Sequence, residues 1–324
     1  MKTPTFWNQK NLLSDILIPF GWLYSGLTRL RLKLHHPYKS KLPVICIGNL
    51  TAGGSGKTPT AIALAQILQK EGYCPYFLSR GYGGKYQNII VNKQNYQAEE
   101  CGDEPLLLSE TAPVVINADR GKGARLAEAA GADILIMDDG FQNPTLHKDI
   151  SFIVIDGGFG FGNFRAIPSG PLRETFSQGI KRAQAAIIIG EDKTSIKKHL
   201  GELPTFSGKI IPLPIAQQEK EIIAFAGIGR PQKFYESLKQ AGGKVIETYD
   251  FPDHHPYTTQ DTQELEKRAK ELDAVLYTTS KDYVKLPKEF QKKVEVLSIK
   301  IDWEDETSLR NFIIQQLSAH IKQK

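Results

Sequence analysis

The run "LPVICIGN" from Leu42 to Asn49 is short, apolar and β-branched, the pattern of a strand. It leads through a glycine-rich stretch into "TPTAIALAQILQKEG", whose apolar residues recur at helical spacing and which stops at Gly72. Strand-like runs follow at "YCPYFLSRG", "APVVINADR", "ADILIMDDG", "ISFIVIDGG" and "AAIIIGE", with helical patterns between several of them, "KGARLAEAAG" included. Strands that alternate with helices predict an α/β fold, a parallel sheet covered by flanking helices. After the proline-rich and polar "IIPLPIAQQEKE" the pattern restarts near Glu221. It continues through "IIAFAGIGRPQKFYESLKQAGG", "KVIETYDF", a helix around "TQELEKRAKEL", "AVLYTTSKD" and "VEVLSIKI". This predicts two units, residues 1–217 and a second, smaller α/β domain over 218–324.

One segment departs from the alternation. "DILIPFGWLYSGLTRLRLKLHH", Asp15 to His36, is apolar and aromatic first and basic afterwards. Ile16 to Thr28 carry no charge, but Pro19 and Gly21 interrupt the run, and a spanning helix needs about 20 apolar residues. A cleavable signal would carry its cations before the apolar core, whereas Arg29, Arg31 and Lys33 come after it. Two readings remain. The segment is either an interfacial amphipathic element, with Phe20, Trp22 and Tyr24 at headgroup depth and its cations toward lipid phosphate, or a helix packed on its own domain.

Composition changes the picture little. With 324 residues, 40% hydrophobic and 24% charged, the chain can build two ordinary cores. A net charge of +5 is too weak to argue for nucleic acid and suits an anionic substrate or membrane face. Cys46, Cys74 and Cys101 form no CxxC pair and are odd in number, so neither a disulfide framework nor a zinc site is expected.

The candidate chemistry begins at "TAGGSGKT", Thr51 to Thr58. The backbone N–H groups of Thr51, Ala52, Gly53, Gly54, Ser55 and Gly56 can wrap phosphate oxygens. Lys57 would reach the β- and γ-phosphates, and the Thr58 hydroxyl would ligate Mg²⁺. This is a Walker A loop in which Thr51 replaces the first glycine. "ILIMDDGFQ" is an apolar strand ending in Asp138 and Asp139, where P-loop enzymes hold Mg²⁺. A GTPase would need N-K-x-D to read its base. The nearest match, "TTSKD" at Thr278 to Asp282, sets lysine directly beside aspartate. Polar clusters instead crowd the loops "SRGYGG", "CGDEP", "NADRGKG", "SGPLRE" and "FPDHHPY". Singly, each has an ordinary structural explanation: Asp103 as a helix cap, Arg80 and Arg120 as solvated charges, His254 or His255 as turn residues.

Together and in this order, "GNLTAGGSGKTP", "SRGYGG", "GDEP", "NADR", "DDGFQ", "GPLRE", "DH" and "TTSKD" resemble the bacterial tetraacyldisaccharide 4'-kinase family over most of the chain. The resemblance implies ATP- and Mg²⁺-dependent phosphorylation of the 4'-hydroxyl of a tetraacylated glucosamine disaccharide 1-phosphate, the lipid A precursor, to give lipid IVA. It implies peripheral binding at the cytosolic face of the inner membrane. That setting would give the apolar front segment its use. The family's aspartate and histidine pair falls on Asp103 and His254, with His255 the second choice because two histidines are adjacent. Lys57 and Arg173 would stabilise the transferring group. Thr58, Asp138 and Glu104 would serve the metal. Asp139 and Glu174 lie near the site, and Arg80 and Arg120 are candidates for the substrate's phosphate or hydroxyls. Many relatives carry histidine after "DDGFQ" where this chain has Asn143, which leaves that position without a role. Two rivals stand beside this reading, a membrane-bound P-loop ATPase or GTPase switch and a P-loop kinase of a soluble metabolite.

Overall fold

The computed structural model describes residues 4–92, 96–216, 219–253 and 255–322. After a single 3-10 turn at Thr5–Trp7, two helices open the chain, α1 (Leu12–Ile16) and α2 (Ile18–Leu34). A first series then runs β1 (Val44–Gly48), α3 (Lys57–Lys70), β2 (Pro75–Ser79), β3 (Ile89–Val91), α4 (Ala98–Cys101), α5 (Asp103–Ser109), β4 (Val114–Ile116), α6 (Arg120–Ala129), β5 (Ile134–Asp138) and β6 (Ile150–Asp156). It closes with α7 (Phe176–Ile180), β7 (Ala185–Ile189), α8 (Lys197–Leu200) and β8 (Thr205–Pro212). The second series is β9 (Glu221–Ala226), α9 (Pro231–Gln240), β10 (Lys244–Asp250), α10 (Thr259–Glu271), β11 (Val275–Thr279), α11 (Ser280–Tyr283), α12 (Lys288–Gln291), β12 (Val294–Leu297), β13 (Ile299–Trp303) and α13 (Glu306–Lys322).

Nine strands form one sheet in the order β13-β8-β7-β6-β1-β5-β2-β4-β3, parallel except for β3 and β13 at its two edges. Strand β1 lies at the middle, between β5 and β6. Its side chains alternate between two cores: Ile45 and Ile47 join α3 and α13 on one face, while Val44 and Cys46 join the layer of α6 and α7 on the other. Every residue of β1, β5 and β7 is buried, which is why these runs lack polar alternation. A separate parallel sheet, β10-β9-β11-β12, has its own pair of cores, with Ile222 and Ala224 on one side and Ile223 and Phe225 on the other.

Two sequence readings change. The proline-rich "IIPLPIAQQEKE" is not simply a junction, because Ile210 to Pro212 complete β8. "VEVLSIKI", which reads as one strand, is two that break at Ser298. Strand β12 pairs with β11 in the small sheet, whereas β13 crosses back to pair antiparallel with β8. Ile301 on β13 and Leu309, Ile313 and Leu317 on α13 then fill the core of the large sheet. A run of apolar residues shows that burial occurs but not in which core. On this pairing we propose that the division set at residue 218 holds as far as Ser298 and that the last segment returns to the first lobe.

Helices α1 and α2 invert the usual arrangement. Asn11 caps α1 through a reciprocal pair with Ser14, and Arg165 anchors it by donating to the Ser14 hydroxyl at 2.7 Å and pairing with Asp15. Along α2 the buried residues are the small Gly21 and Ser25. The large apolar side chains of Ile16, Phe20, Leu23, Leu27, Leu30 and Leu34, spaced three or four apart, are all more than half exposed. None of the described helices is long and apolar enough to cross a membrane.

Candidate active site

Strand β1 ends at Gly48, and the glycine-rich loop folds over its carboxyl end before entering α3. Gly56 takes a left-handed backbone, φ +85°, as the residue preceding the helix, a geometry that glycine adopts without steric cost. No side chain caps α3, so the amides of its first turn remain available to an anion. The loop is braced from two sides. Asn49 Nδ2 donates to the Ser55 hydroxyl at 3.1 Å, and the Ala52 amide donates to the Pro171 carbonyl at 2.8 Å.

Beneath the loop, β5 delivers the two acids. Thr58 Oγ1 donates to Asp138 Oδ2 at 3.1 Å, while Asp138 Oδ1 is buried with no hydrogen-bond partner. Burial, helped by the nearby Glu104 carboxylate, pushes Asp138 up to about 7 against the opposing pull of Lys57. Asp139 behaves differently. Its burial is outweighed by Lys57, 3.7 Å from Oδ1, and by Arg173, which donates at 2.9 Å, so it stays below the ordinary carboxylate value. Lys57 and Arg173, 116 residues apart in the chain, thus converge on one carboxylate.

Mg²⁺ fits this donor set. A buried carboxylate oxygen lacking any partner, beside a threonine hydroxyl at the start of α3, is a hard-oxygen position for a small cation.

The other elements arrive from neighbouring loops. Asp103 and Glu104 open α5, directly after Gly102, which has φ +91°. A Cβ at Gly102 would lie 2.5 Å from the Tyr82 carbonyl, so this glycine lets the "SRGYGG" loop close onto "GDEP". Asp103 is buried and accepts from the Glu104 amide at 3.0 Å. From the small sheet, Lys281 brings its ammonium 4.0 Å from Asp103 Oδ2 and 3.8 Å from Glu104 Oε1.

The substrate candidates separate. Arg80 is exposed and near enough to Arg120 to act on it. Arg120 is buried, donates to the Asn117 carbonyl at 2.5 Å and keeps an unpartnered Nε. Burial and the neighbouring Arg80 lower it to about 10. Glu174 is committed inside the protein. Arg182 donates to both of its oxygens at 2.5 and 2.6 Å, Gln142 donates to one at 2.9 Å, and its side chain is 3% exposed. These donors compensate the burial of its carboxylate, which would be costly without them. Asn143 binds locally, accepting from the Thr145 amide at 2.9 Å.

Of the two histidines, His254 lies outside the described residues. His255 pairs through Nε2 with Asp261 Oδ2 at 3.0 Å and stacks on Phe251. Asp261 in turn closes the capping box of α10 with Thr258, so His255 belongs to a helix terminus. Sequence reasoning missed Asn49, Gln142 and Lys281. All three stand inside motifs already quoted, Lys281 in "TTSKD", to which no role was given.

A phosphate loop on a central parallel strand, with two cations gathered on one acid and a second acid left open beside the loop hydroxyl, is the equipment of a P-loop kinase. Comparison with known proteins narrows the class. The family model described as Tetraacyldisaccharide-1-P 4'-kinase matches residues 13–318, and the chain belongs to that family. It is 44% identical to the tetraacyldisaccharide 4'-kinase of Rhodospirillum centenum, over 98% of each chain. It is also 44% identical to that of Gluconobacter oxydans, over 98% of this chain and 99% of the relative. Among solved structures it resembles the "apo" form of LpxK from Aquifex aeolicus in complex with ATP. The TM-score is 0.78 at 30% identity, with 94% of this chain and all of that one covered.

Proposed function

We propose that this kinase transfers the γ-phosphoryl group of ATP to the 4'-hydroxyl of tetraacyldisaccharide 1-phosphate, giving lipid IVA, and that it does so while docked on the cytosolic face of the inner membrane. The observation that supports the reading most is the convergence of Lys57, Arg173, Asp138 and Asp139 under the phosphate loop, with Glu104, next to Asp103 at the start of α5, near enough to act on Asp138.

In this reading the loop amides from Thr51 to Gly56 hold the phosphates. Lys57 and Arg173 leave Asp139 to meet charge developing on the transferring group. Thr58 and Asp138, with Glu104 close by, hold Mg²⁺, which when bound neutralises phosphate charge. Asp103 orients His254, which takes the proton from the sugar hydroxyl. The oxygen then bonds to the γ-phosphorus, the bond to the bridging oxygen breaks and ADP leaves. The commitment of His255 to Asp261 favours His254 as the base. Arg80, which is exposed, would contact the substrate's polar groups, and Arg120, buried with an unpartnered Nε, would do so where the site opens to it.

The outward stripe of α2 supports the membrane assignment. A helix that buries glycine and serine and exposes Phe20, Leu23, Leu27 and Leu30 presents its apolar face to something other than its own domain. Arg29, Arg31 and Lys33, all exposed, would meet lipid phosphate. Acyl chains of the acceptor and of the bilayer would share that face.

The deciding experiment is transfer of labelled γ-phosphate from ATP to tetraacyldisaccharide 1-phosphate in detergent micelles, with Mg²⁺ and with EDTA. Labelled lipid formed only with Mg²⁺ is expected. ATP hydrolysis with no labelled lipid would overturn the reading in favour of an ATPase switch.

A further inference from the structure

We infer that Lys281 is a positioning residue of the reaction, the group by which the small lobe sets the carboxylates of Asp103 and Glu104; this rests on the kinase reading above. The "TTSKD" segment is built as a lock with one member turned outward. Thr278 Oγ1 donates to the Phe225 carbonyl at 2.8 Å, tying the end of β11 to β9. Thr279 caps α11, its hydroxyl donating to Asp282 Oδ2 at 2.6 Å and accepting from the Asp282 amide at 3.1 Å. Asp282 is fully buried, and Lys285 closes the lock at 2.7 Å from its other oxygen. Thr278, Thr279 and Asp282 are thus used within the small lobe. Lys281 alone is turned across to the large lobe, where its ammonium lies between the two acids that open α5.

The charges give this contact its role. Asp138 and Asp139 lie at the phosphate loop, bonded to Thr58 and paired with Lys57, and Lys57 and Arg173 from the large lobe gather on Asp139. Glu104 is near enough to push Asp138 up. The small lobe's Lys281 ammonium is seated on the Asp103 and Glu104 side. It holds Asp103 where it can orient the base and draws Glu104 to a fixed position beside the metal acid. Because the lysine stands on one lobe and the carboxylates on the other, the arrangement also makes correct placement depend on the lobes being together. Nothing in the hydrophobic cores depends on Lys281, whose side chain is 27% exposed.

The test measures phosphoryl transfer to micellar tetraacyldisaccharide 1-phosphate by wild type, Lys281→Met, Lys281→Gln and Lys281→Arg, each checked for unchanged melting. We expect kcat to fall about 10- to 100-fold in the Met and Gln variants, with KM for ATP within about twofold, since misplacement acts on the transition state. Lys281→Arg should recover most of the rate, because charge at that place is what matters. In a Glu104→Gln background the Lys281→Met loss should shrink, the sign that the two act on each other. A wild type that forms labelled lipid while Lys281→Met turns over at a similar rate would overturn this inference and leave the kinase reading intact. So would losses that multiply independently in the double variant. A well-folded wild type that binds ATP and forms no labelled lipid would overturn both.

Discussion

The two lobes are both parallel sheets flanked by helices, yet they place their polar residues in opposite ways. At the carboxyl ends of β1 and β5 in the large lobe, charged groups are buried and left partly unsatisfied: Asp138 has an open oxygen, Arg120 an open Nε, and α3 an uncapped first turn. At the corresponding end of β11 in the small lobe, Thr278 donates to the Phe225 carbonyl, Thr279 and Asp282 satisfy each other, and His255 pairs with Asp261, the neutral Tyr257 hydroxyl being the buried group left open there. Open polar groups in a buried place mark where a ligand completes the structure. Closed ones mark a scaffold. This contrast supports the proposal that the large lobe binds the phosphates and that the small lobe delivers groups to it, Lys281 among those described.

The sharpest way to break that contrast is to remove one group from each side. Lys57→Ala and His254→Ala should each lower kcat/KM about 10²- to 10³-fold in the micellar transfer assay, Lys57→Ala also weakening ATP binding. His255→Ala, acting on a helix terminus, should lower the melting temperature more than the rate. If His255→Ala is instead the inactive variant, the small lobe's base has been assigned to the wrong histidine.

The return of the chain to the large lobe has its own test. Ile313, fully buried among large-lobe residues, should cost about 2–4 kcal/mol on truncation to alanine, read by denaturant unfolding. Hydrogen exchange should then rise in α3 and β13. A rise confined to β9 through β12 would contradict the placement of α13.

Asp138 sharpens the contrast through pH. Its folded value, about 7, lies above the ordinary 3.8, so the folded protein keeps a proton that the unfolded chain loses between those values. Stability therefore falls as pH rises from about 4 to about 7, and the penalty is complete above 7. Asp138→Asn should raise the stability of the metal-free protein at pH 8 by about 1–3 kcal/mol, leave it nearly unchanged at pH 4, and abolish turnover. Equal gains at both pH values would show that the carboxylate carries no such strain. In the wild type the proton competes with Mg²⁺ for Asp138, so the Mg²⁺ concentration needed for half-maximal turnover should rise as pH drops below about 7.

The smallest effect is expected at the membrane face. Replacing Phe20, Leu23 and Leu27 with serine should leave micellar activity within about threefold of the wild type and reduce activity on substrate in anionic vesicles about tenfold, with vesicle sedimentation falling in parallel. Unchanged sedimentation would mean that the exposed stripe of α2 meets a protein surface.

The parts legible from the chain alone were those made by neighbours in sequence. Strand, glycine-rich loop and helix over 42–70 follow from local pattern and from conformations that glycine adopts cheaply, so Lys57 and Thr58 could be assigned before any fold was known. The acidic end of β5 was equally plain, since an apolar strand that terminates in two carboxylates is itself a local signal. Only the tertiary structure decided how such pieces are used. The pattern within 306–322 left open which core that segment fills, and sheet pairing placed it on the large one. That Arg182 and Gln142 bind Glu174 could not be read from spacing, and the apolar residues of α2 read equally as core until the helix is seen to turn them outward. Lys281, on the far side of the chain from Asp103, could not be linked to it by spacing. Charge is a property of one residue, but its consequence depends on distance and burial, and those exist only once the whole chain has folded.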